Sequence, residues 1–600
     1  MIEILRKSGD EILRVGIVLI MMLMTIVSVE KRWMECEVWI FYGIPALLLL
    51  GFTFSVCKKQ KFQVTSTDAI AITWFAYYVG ITWIGNEWPC RMEFLKTVEL
   101  FLLYVALRVA FDRTKMSAWV LIGSILTFGC YEAYLGVSQM YGDERSRHDL
   151  FALTGNFLNP GPYSAYLMIG VVVGLVALKD MSNRTIITRM PNVVFLNNLK
   201  DKVPAKIAVY IKAIKWKHLV IAAVAIMAMV LPATWSRAAF LGVAVVLLLI
   251  YRDKYWKYRY ILWGGILLMA VAFYFIKQGS ADGRLIIWKA ALTTWIDVPW
   301  MGVGIGGFYN AFAEGVAQLS TTGMDFTSAN PPDGAYNILL KVVVEQGVVG
   351  GVMAVAFVVI SLTKLLKNSE SLFWGMVVLL VFAMFSYPFD LLPYKVIAVL
   401  VIAWSESKGE SQKTNDQRQK TIGWIKVFLI SCILSFASWQ VGNIARDCYK
   451  IEKELGMAYG FSDFYSVEEG FEWLSSEGDN HEFLFAFGKK LREEERYKES
   501  NAVLRMGTKC SADPMFYVII GNNYKDMKHH DLAEKSYYKA FAVMPNRLYP
   551  LYQLMLLYKD SGDMKKAKAM AKRVIEMKPK IESRLTKDMK DKAKEFLGQH

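Results

Sequence analysis

Asp333, Asn337, Lys341 and Glu345 recur at intervals of four in the stretch DGAYNILLKVVVEQG, at the edge of a long apolar run. Positions four apart share one face of a helix, so these side chains form a polar stripe on a helix whose other faces are Ile, Leu and Val. Lys341 and Glu345 form an i, i+4 couple whose pairing would lower the cost of burying either charge. Two arginines stand out in the same way. Arg237, in TWSRAAFLG, sits at the end of a hydrophobic helix between Pro232 and an apolar continuation. An arginine at that depth is costly unless it is paired, bound to an anion, or snorkelling to lipid phosphate. Arg284, in GRLIIWKAALTTW, falls with Trp288 and Trp295 on nearly one helical face, the pattern of an amphipathic helix at a membrane surface. Guanidinium groups grip phosphate oxygens in pairs and stabilise charge growing on a leaving group, while a carboxylate can take a proton from a hydroxyl.

The elements that must position these groups are membrane helices. The chain has 600 residues, 54% of them hydrophobic and 14% aromatic, which is too apolar for one soluble domain. Apolar runs long enough for a bilayer lie near 13 to 29, 38 to 57, 68 to 84, 93 to 111, 117 to 140, 162 to 178, 218 to 233, 238 to 251, 260 to 276, 343 to 363, 372 to 389, 393 to 405 and 422 to 441. The expected fold class is therefore all-α, a polytopic bundle of about 12 to 13 transmembrane helices. The first run lacks a small-residue cleavage pattern and is expected to be retained as a helix.

Lys and Arg gather in alternate loops: KKQK at 58 to 61, Arg108 with Arg113 and Lys115, the segment from Lys179 to Lys217, RDKYWKYR at 252 to 259, Lys364 with Lys367, and the group from Lys408 to Lys420. These loops are expected to be cytoplasmic. The net charge of +15 is thereby in part a topology signal, and no nucleic-acid partner is expected. The alternation puts 141 to 161, the turn at 234 to 237, the loop 277 to 336 and everything after 442 outside. Seven cysteines show no metal-like spacing; Cys36, Cys90, Cys448 and Cys510 would lie outside, where a disulfide is possible but its pairing cannot be deduced.

After residue 441 the composition changes. Pro514, Pro545 and Pro579 close successive blocks about 31 and 34 residues long, near the tetratricopeptide period. Residues 515 to 546 and 547 to 580 each read as two helices around a polar turn, with a weaker copy at 481 to 514 and a polar capping helix at 582 to 597. The expected division is thus a membrane domain over 1–441, with its large loop at 277–336, and a soluble repeat stack over 442–600. Such stacks bind peptides or protein partners, or serve only to support their neighbours. His529 and His530, adjacent in a turn without a Cys or carboxylate set, read as solvated rather than metal-binding.

The stretch DVPWMGVGIGGFYNAF, carrying Gly304 and Gly306, reads either as a tight turn or as a loop presenting N–H groups to phosphate. It is not a dinucleotide fingerprint, because no βαβ unit surrounds it.

Taken in order, TGNFLNPGPYSAYL (154 to 167, with Asn159), TWSRAAFLG, GRLIIWKAAL, PWMGVGIGGF and YNILLKVVVEQGVVGG resemble the O-antigen ligase and polymerase family of multi-helix glycosyltransferases. The resemblance spans residues 13 to 405. It implies a GT-C-type fold in a bacterial inner membrane and periplasmic catalytic loops. It further implies an undecaprenyl-diphosphate-linked glycan as donor and a hydroxyl of lipid A core, a growing glycan or a protein as acceptor, with no metal or cofactor. By motif match Arg237 and Arg284 would hold the diphosphate. Many ligases carry a His-Asn pair where this chain has Tyr336 and Asn337, and a tyrosine with a pKa near 10 is a poor base. Asp333 is the first alternative base, with Asp325, Glu314, Glu345 and His148 as others. A lipid-linked sugar transporter is the competing reading, but no internal repeat is evident and the polar residues cluster at the outer ends, Glu132 excepted. A non-enzymatic scaffold, its arginines touching only headgroups, is the third.

Overall fold

The computed structural model describes residues 62–84, 91–112, 116–148, 151–157, 159–181, 205–276, 278–320, 326, 334–408, 421–422, 432–440, 442–443, 446, 467–477, 480–579 and 582–598, together with residues 16 and 43. The first two apolar runs, Asp325 and Asp333 lie outside the described residues, as do Cys36, Cys90 and Cys448.

Helices dominate. Through the apolar part they are α1 (Ser66–Ile84), α2 (Arg91–Asp112), α3 (Ala118–Tyr141), α4 (Pro160–Asp180), α5 (Ala205–Val230), α6 (Arg237–Ile250), α7 (Arg259–Ile276), α8 (Gln278–Trp295), α9 (Phe308–Ser320), α10 (Ile338–Asn368), α11 (Glu370–Ala383) and α12 (Leu392–Lys408). The chain is an all-α membrane bundle: among the described residues five segments are long and apolar enough to cross a membrane, Ala118–Tyr141, Pro160–Asp180, Trp216–Thr234, Trp256–Ile276 and Ile338–Asn368. Arg237–Ile250 and Glu370–Ala383 are shorter and equally apolar. Two-residue strands pair antiparallel at Phe62–Gln63 and Thr421–Ile422.

Lipid tails are as apolar as Leu, so hydrophobicity alone does not bring these helices together; close packing and buried polar pairs do. Helix α4 is at the centre, packed against α3, α5, α6 and α11. The sulfur of Met227 on α5 fills the space beside Gly170, and Val224 does the same beside Gly174. Helix α7, in contrast, buries none of its residues and turns its apolar side chains outward, as a helix facing lipid does. Buried charge pairs tie neighbouring helices together. Arg108, which the loop pattern groups with the cytoplasmic basic residues, is instead buried in α2 and bound to Asp68 of α1 through Nε at 3.0 Å and an Nη at 2.9 Å. Glu406 of α12 likewise accepts from Thr67 at 2.8 Å and pairs with Lys364 of α10.

Beyond the bundle come α13 (Val467–Glu477), α14 (His481–Glu493), α15 (Tyr497–Cys510), α16 (Met515–Asp526), α17 (His530–Val543), α18 (Leu548–Asp560), α19 (Met564–Glu576) and α20 (Arg584–Leu597). From α14 on, each helix packs against its sequence neighbours, giving a stack of helix pairs at 481–510, 515–543 and 548–576 closed by α20. Cys510 is buried in this stack, its Sγ 3.7 Å from the carbonyl oxygen of Met506. Helix α9 packs on α15 and α17, so the stack lies on the same side of the bundle as the loop between α7 and α10.

Candidate active site

Three chain segments converge at one end of the bundle. The first is the entrance to α6. Pro232 opens a 3-10 turn, Leu231–Thr234, which ends at Trp235 in the left-handed conformation (φ 49°) and hands over to Arg237 in the first turn of the helix. From there the Arg237 side chain donates to the carbonyl of Phe273 at 2.6 Å and reaches Ser280 Oγ at 3.4 Å, joining α6 to the α7–α8 corner.

The second segment is α8. One turn after Ser280, Arg284 donates to the carbonyl of Phe385 at 2.8 Å and lies over the Tyr336 ring, 5.0 Å from its centroid. Burial and the neighbouring Arg237 charge hold the Arg284 guanidinium below its ordinary range. A cation held down by burial and by a neighbouring cation marks a place where an anion relieves the repulsion. Trp288, one turn further, donates Nε1 to the carbonyl of Ala335 at 2.9 Å and so fastens α8 to the start of the third segment.

That third segment is the polar stripe. Asn337 caps α10, its Oδ1 accepting the N–H of Leu340 at 3.0 Å. Tyr336 precedes it with φ 52°, a conformation that costs a non-glycine residue about 1 kcal/mol or more. The strain is held by its ring contacts: Arg284 on one side and Tyr387, edge-on at 5.4 Å, on the other. The expected Lys341–Glu345 couple does not form. Lys341 turns across to Asp390 at 2.8 Å, where the chain between α11 and α12 makes a short 3-10 turn at Pro388–Asp390. Glu345 is buried one turn deeper, accepting the N–H of Phe308 while its Oε1 has no hydrogen-bond partner among the described residues. Asn337, Lys341, Ser386, Tyr387 and Asp390 line a cleft with Tyr336 at its rim. Asp390 was missed in the sequence; the signal was a lone carboxylate in the stretch SYPFDLLPYK between two apolar runs.

The glycine-rich turn has a different task from cradling phosphate. Helix α10 is broken at Gly347 (φ 68°), and the carbonyls freed there need donors. Val303 N–H donates to Val344 at 2.9 Å and Gly304 N–H to Glu345 at 3.1 Å, while Val348 N–H returns to Pro299 at 2.8 Å. Trp74 and Tyr77 of α1 take the side-chain and main-chain oxygens of Gln346. Gly302 (φ 74°) and Gly347 must be glycine, because a Cβ at either would collide with the backbone of the other segment. The N–H of Gly304 is thereby already engaged; Gly306 (φ 73°) lies in the same turn.

Asn159 caps α4 by accepting the N–H of Gly161 at 2.9 Å, beside Ser386 of the cleft. The preceding loop is fastened by α3: Glu132 accepts from both the main chain and side chain of Asn156 at 3.1 Å, and Gln139 bonds Thr154 and Gly155. The intramembrane Glu132 is thus an anchor for TGNF. Glu314 and His148 do not line the cleft. Glu314 is tied to Lys539 of the helical stack at 2.8 Å, and His148 stacks on Phe151 at 4.8 Å. His529 packs against Tyr524 at the start of α17.

Arg284 thus lies over Tyr336, which lines a cleft that also holds the Lys341–Asp390 pair, and Arg237 bonds Ser280 one helical turn from Arg284. This arrangement suits an anionic group outside and a hydroxyl-bearing group within. Compared with known families, residues 222–355 match the O-antigen ligase model Wzy_C, a span that runs from α5 through the break in α10 and contains both arginines. No curated protein matches the chain.

Proposed function

We propose that this protein is a membrane glycosyltransferase that moves a glycan from an undecaprenyl-diphosphate carrier to a hydroxyl acceptor on the periplasmic face of the bacterial inner membrane. The family match supports a ligase acting on lipid-linked glycans. The single observation that carries the finer reading is the convergence of Arg237 and Arg284 on one mouth beside Tyr336, at the end of the bundle where α7, facing lipid, meets α8.

In this reading the diphosphate lies against Arg237 and Arg284, with Trp288 setting the height of the α8 helix. The acceptor hydroxyl attacks the anomeric carbon as the bond to the diphosphate oxygen breaks. The two arginines take up the charge growing on that oxygen. The hydroxyl proton passes to a carboxylate, Asp390 in the cleft or Asp333, with Asn337 and Tyr336 orienting the acceptor. Lys341, 2.8 Å from Asp390, keeps it aimed. The acceptor is lipid A core, a polysaccharide or a protein. Residues 1–441 form the catalytic membrane domain, and 442–600 form a tetratricopeptide-like stack on the same face that also takes a protein partner.

Reconstitution in proteoliposomes with a defined undecaprenyl-diphosphate glycan and candidate acceptors, read by product mass, tests the proposal. Formation of a glycosylated acceptor together with free carrier diphosphate is the expected result. Movement of the intact lipid-linked glycan across the bilayer without any transfer would instead favour a flippase.

A further inference from the structure

Between the arginine helix and the C-terminal stack the contact is a dock with a core of its own. Ile287, Ala290 and Ala291 of α8 share one buried cluster with Phe308, Phe312 and Val316 of α9, and with Ala512, Val543 and Met544 of the stack. At its edge Lys539 of α17 pairs with Glu314 of α9 at 2.8 Å. Asn546, buried, donates to the carbonyl of Phe326 at 2.9 Å. The two helices beneath are in backbone contact, since a Cβ at Gly315 would run into the main chain of Ala290, and Thr294 bonds the carbonyl of Ala311 at 2.8 Å. Residues 287, 290 and 291 lie three, six and seven positions after Arg284, on the face of α8 that continues from it. Ala335, next to Tyr336, belongs to the same cluster.

We infer that the C-terminal stack is a working part of the donor site: docked on α9, it sets the position of α8 and hence the reach of Arg284 and Tyr336 to the carrier diphosphate. Lys539 and Glu314 are positioning residues that never touch substrate. The inference rests on the transferase reading for the identity of the anion. It differs from the appended-module reading in requiring that undocking weaken the site even when no partner is present.

The test uses the full-length chain in nanodiscs. Lys539→Glu and Glu314→Lys each place like charges in contact, the double variant restores an opposite pair, and Lys539→Arg keeps it. Hydrogen exchange of residues 308–320 reports docking, affinity for undecaprenyl diphosphate without a glycan reports the anion site, and product formation reports transfer. Each single reversal is expected to raise exchange and to lower affinity and kcat/KM by roughly tenfold, with the double variant and Lys539→Arg near the original protein. Val543→Asp, which puts a charge at the centre of the dock, is the second route to undocking. Full affinity and full transfer in an undocked variant would overturn the inference. So would unchanged exchange in all of these variants, because the dock would then not exist as described. A protein that binds the carrier but transfers nothing sinks the transferase reading, while affinity across the series still decides this one.

Discussion

Lys341 donates to Asp390 across 2.8 Å, bridging the first turns of α10 to the 3-10 turn between α11 and α12. The bond joins two segments 49 residues apart, and both partners line the cleft with Tyr336. Its partners are about one-fifth exposed, so it is neither a free surface pair nor a dry one. Removing one partner strands the other, which costs more than replacing both.

Asp390→Asn and Lys341→Met should each lower stability in detergent by about 1–2 kcal/mol, with the double variant costing less than their sum. Thermal unfolding of the three proteins measures this; strict additivity would show that the pair is not coupled. In transfer assays Asp390→Glu is expected to retain activity that Asp390→Asn loses.

Arg284 touches a carbonyl and an aromatic ring, and neither cancels its charge. Arg284→Ala should cut glycan transfer by about a hundredfold or more at normal membrane insertion, while Arg284→Lys recovers part of it as a point charge without the bidentate fork. Full-rate transfer by correctly inserted Arg284→Ala would remove this residue from the donor site.

Tyr336 has a strained backbone and a ring shared between Arg284 and Tyr387. If its phenol only orients groups, Tyr336→Phe keeps transfer within about tenfold. A loss matching that of Arg284→Ala would make the hydroxyl itself part of the proton chemistry. Tyr336→Gly relieves about 1 kcal/mol of strain yet should lower transfer, because the ring over Arg284 is gone.

Gly347 meets the carbonyl of Trp300 where α10 breaks. Gly347→Ala combines a positive φ with a backbone collision and should destabilise the protein by more than about 2 kcal/mol, read as a lower unfolding midpoint. Gly142→Ala, at a φ of 83° but with nothing within 4 Å of the added Cβ, is the control that isolates the collision.

What was legible in the sequence follows from chemistry that acts locally. The apolar runs announced membrane helices, the proline spacing announced helix pairs, and Arg237, Arg284 and Trp288 stood out because charged and indole groups at a bilayer edge need a reason to be there. Asn337 and Asn159 were read as site residues, and the structure shows each also capping a helix, as amide oxygens favoured at helix starts do. The partners of those residues were not legible. Lys341 was expected to pair one turn along its own helix with Glu345, and instead reaches a residue on another turn. Arg108 looked like a loop charge and is buried against Asp68. The glycines from 302 to 307 read either as a tight turn or as a phosphate cradle, and in the structure Val303 and Gly304 spend their N–H groups on a broken helix.

The sequence by itself therefore determined that this is a many-helix membrane protein with two exceptional arginines and a stack of helix pairs behind it, because hydropathy, helix periodicity and the cost of buried charge are all read along the chain. Only the tertiary structure decided which groups meet: Lys341 with Asp390, Arg284 with the Phe385 carbonyl and Tyr336, Glu314 with Lys539. Those choices depend on which helices approach closely enough to satisfy a buried charge or a freed carbonyl, and that is fixed by packing between distant segments rather than by spacing within one.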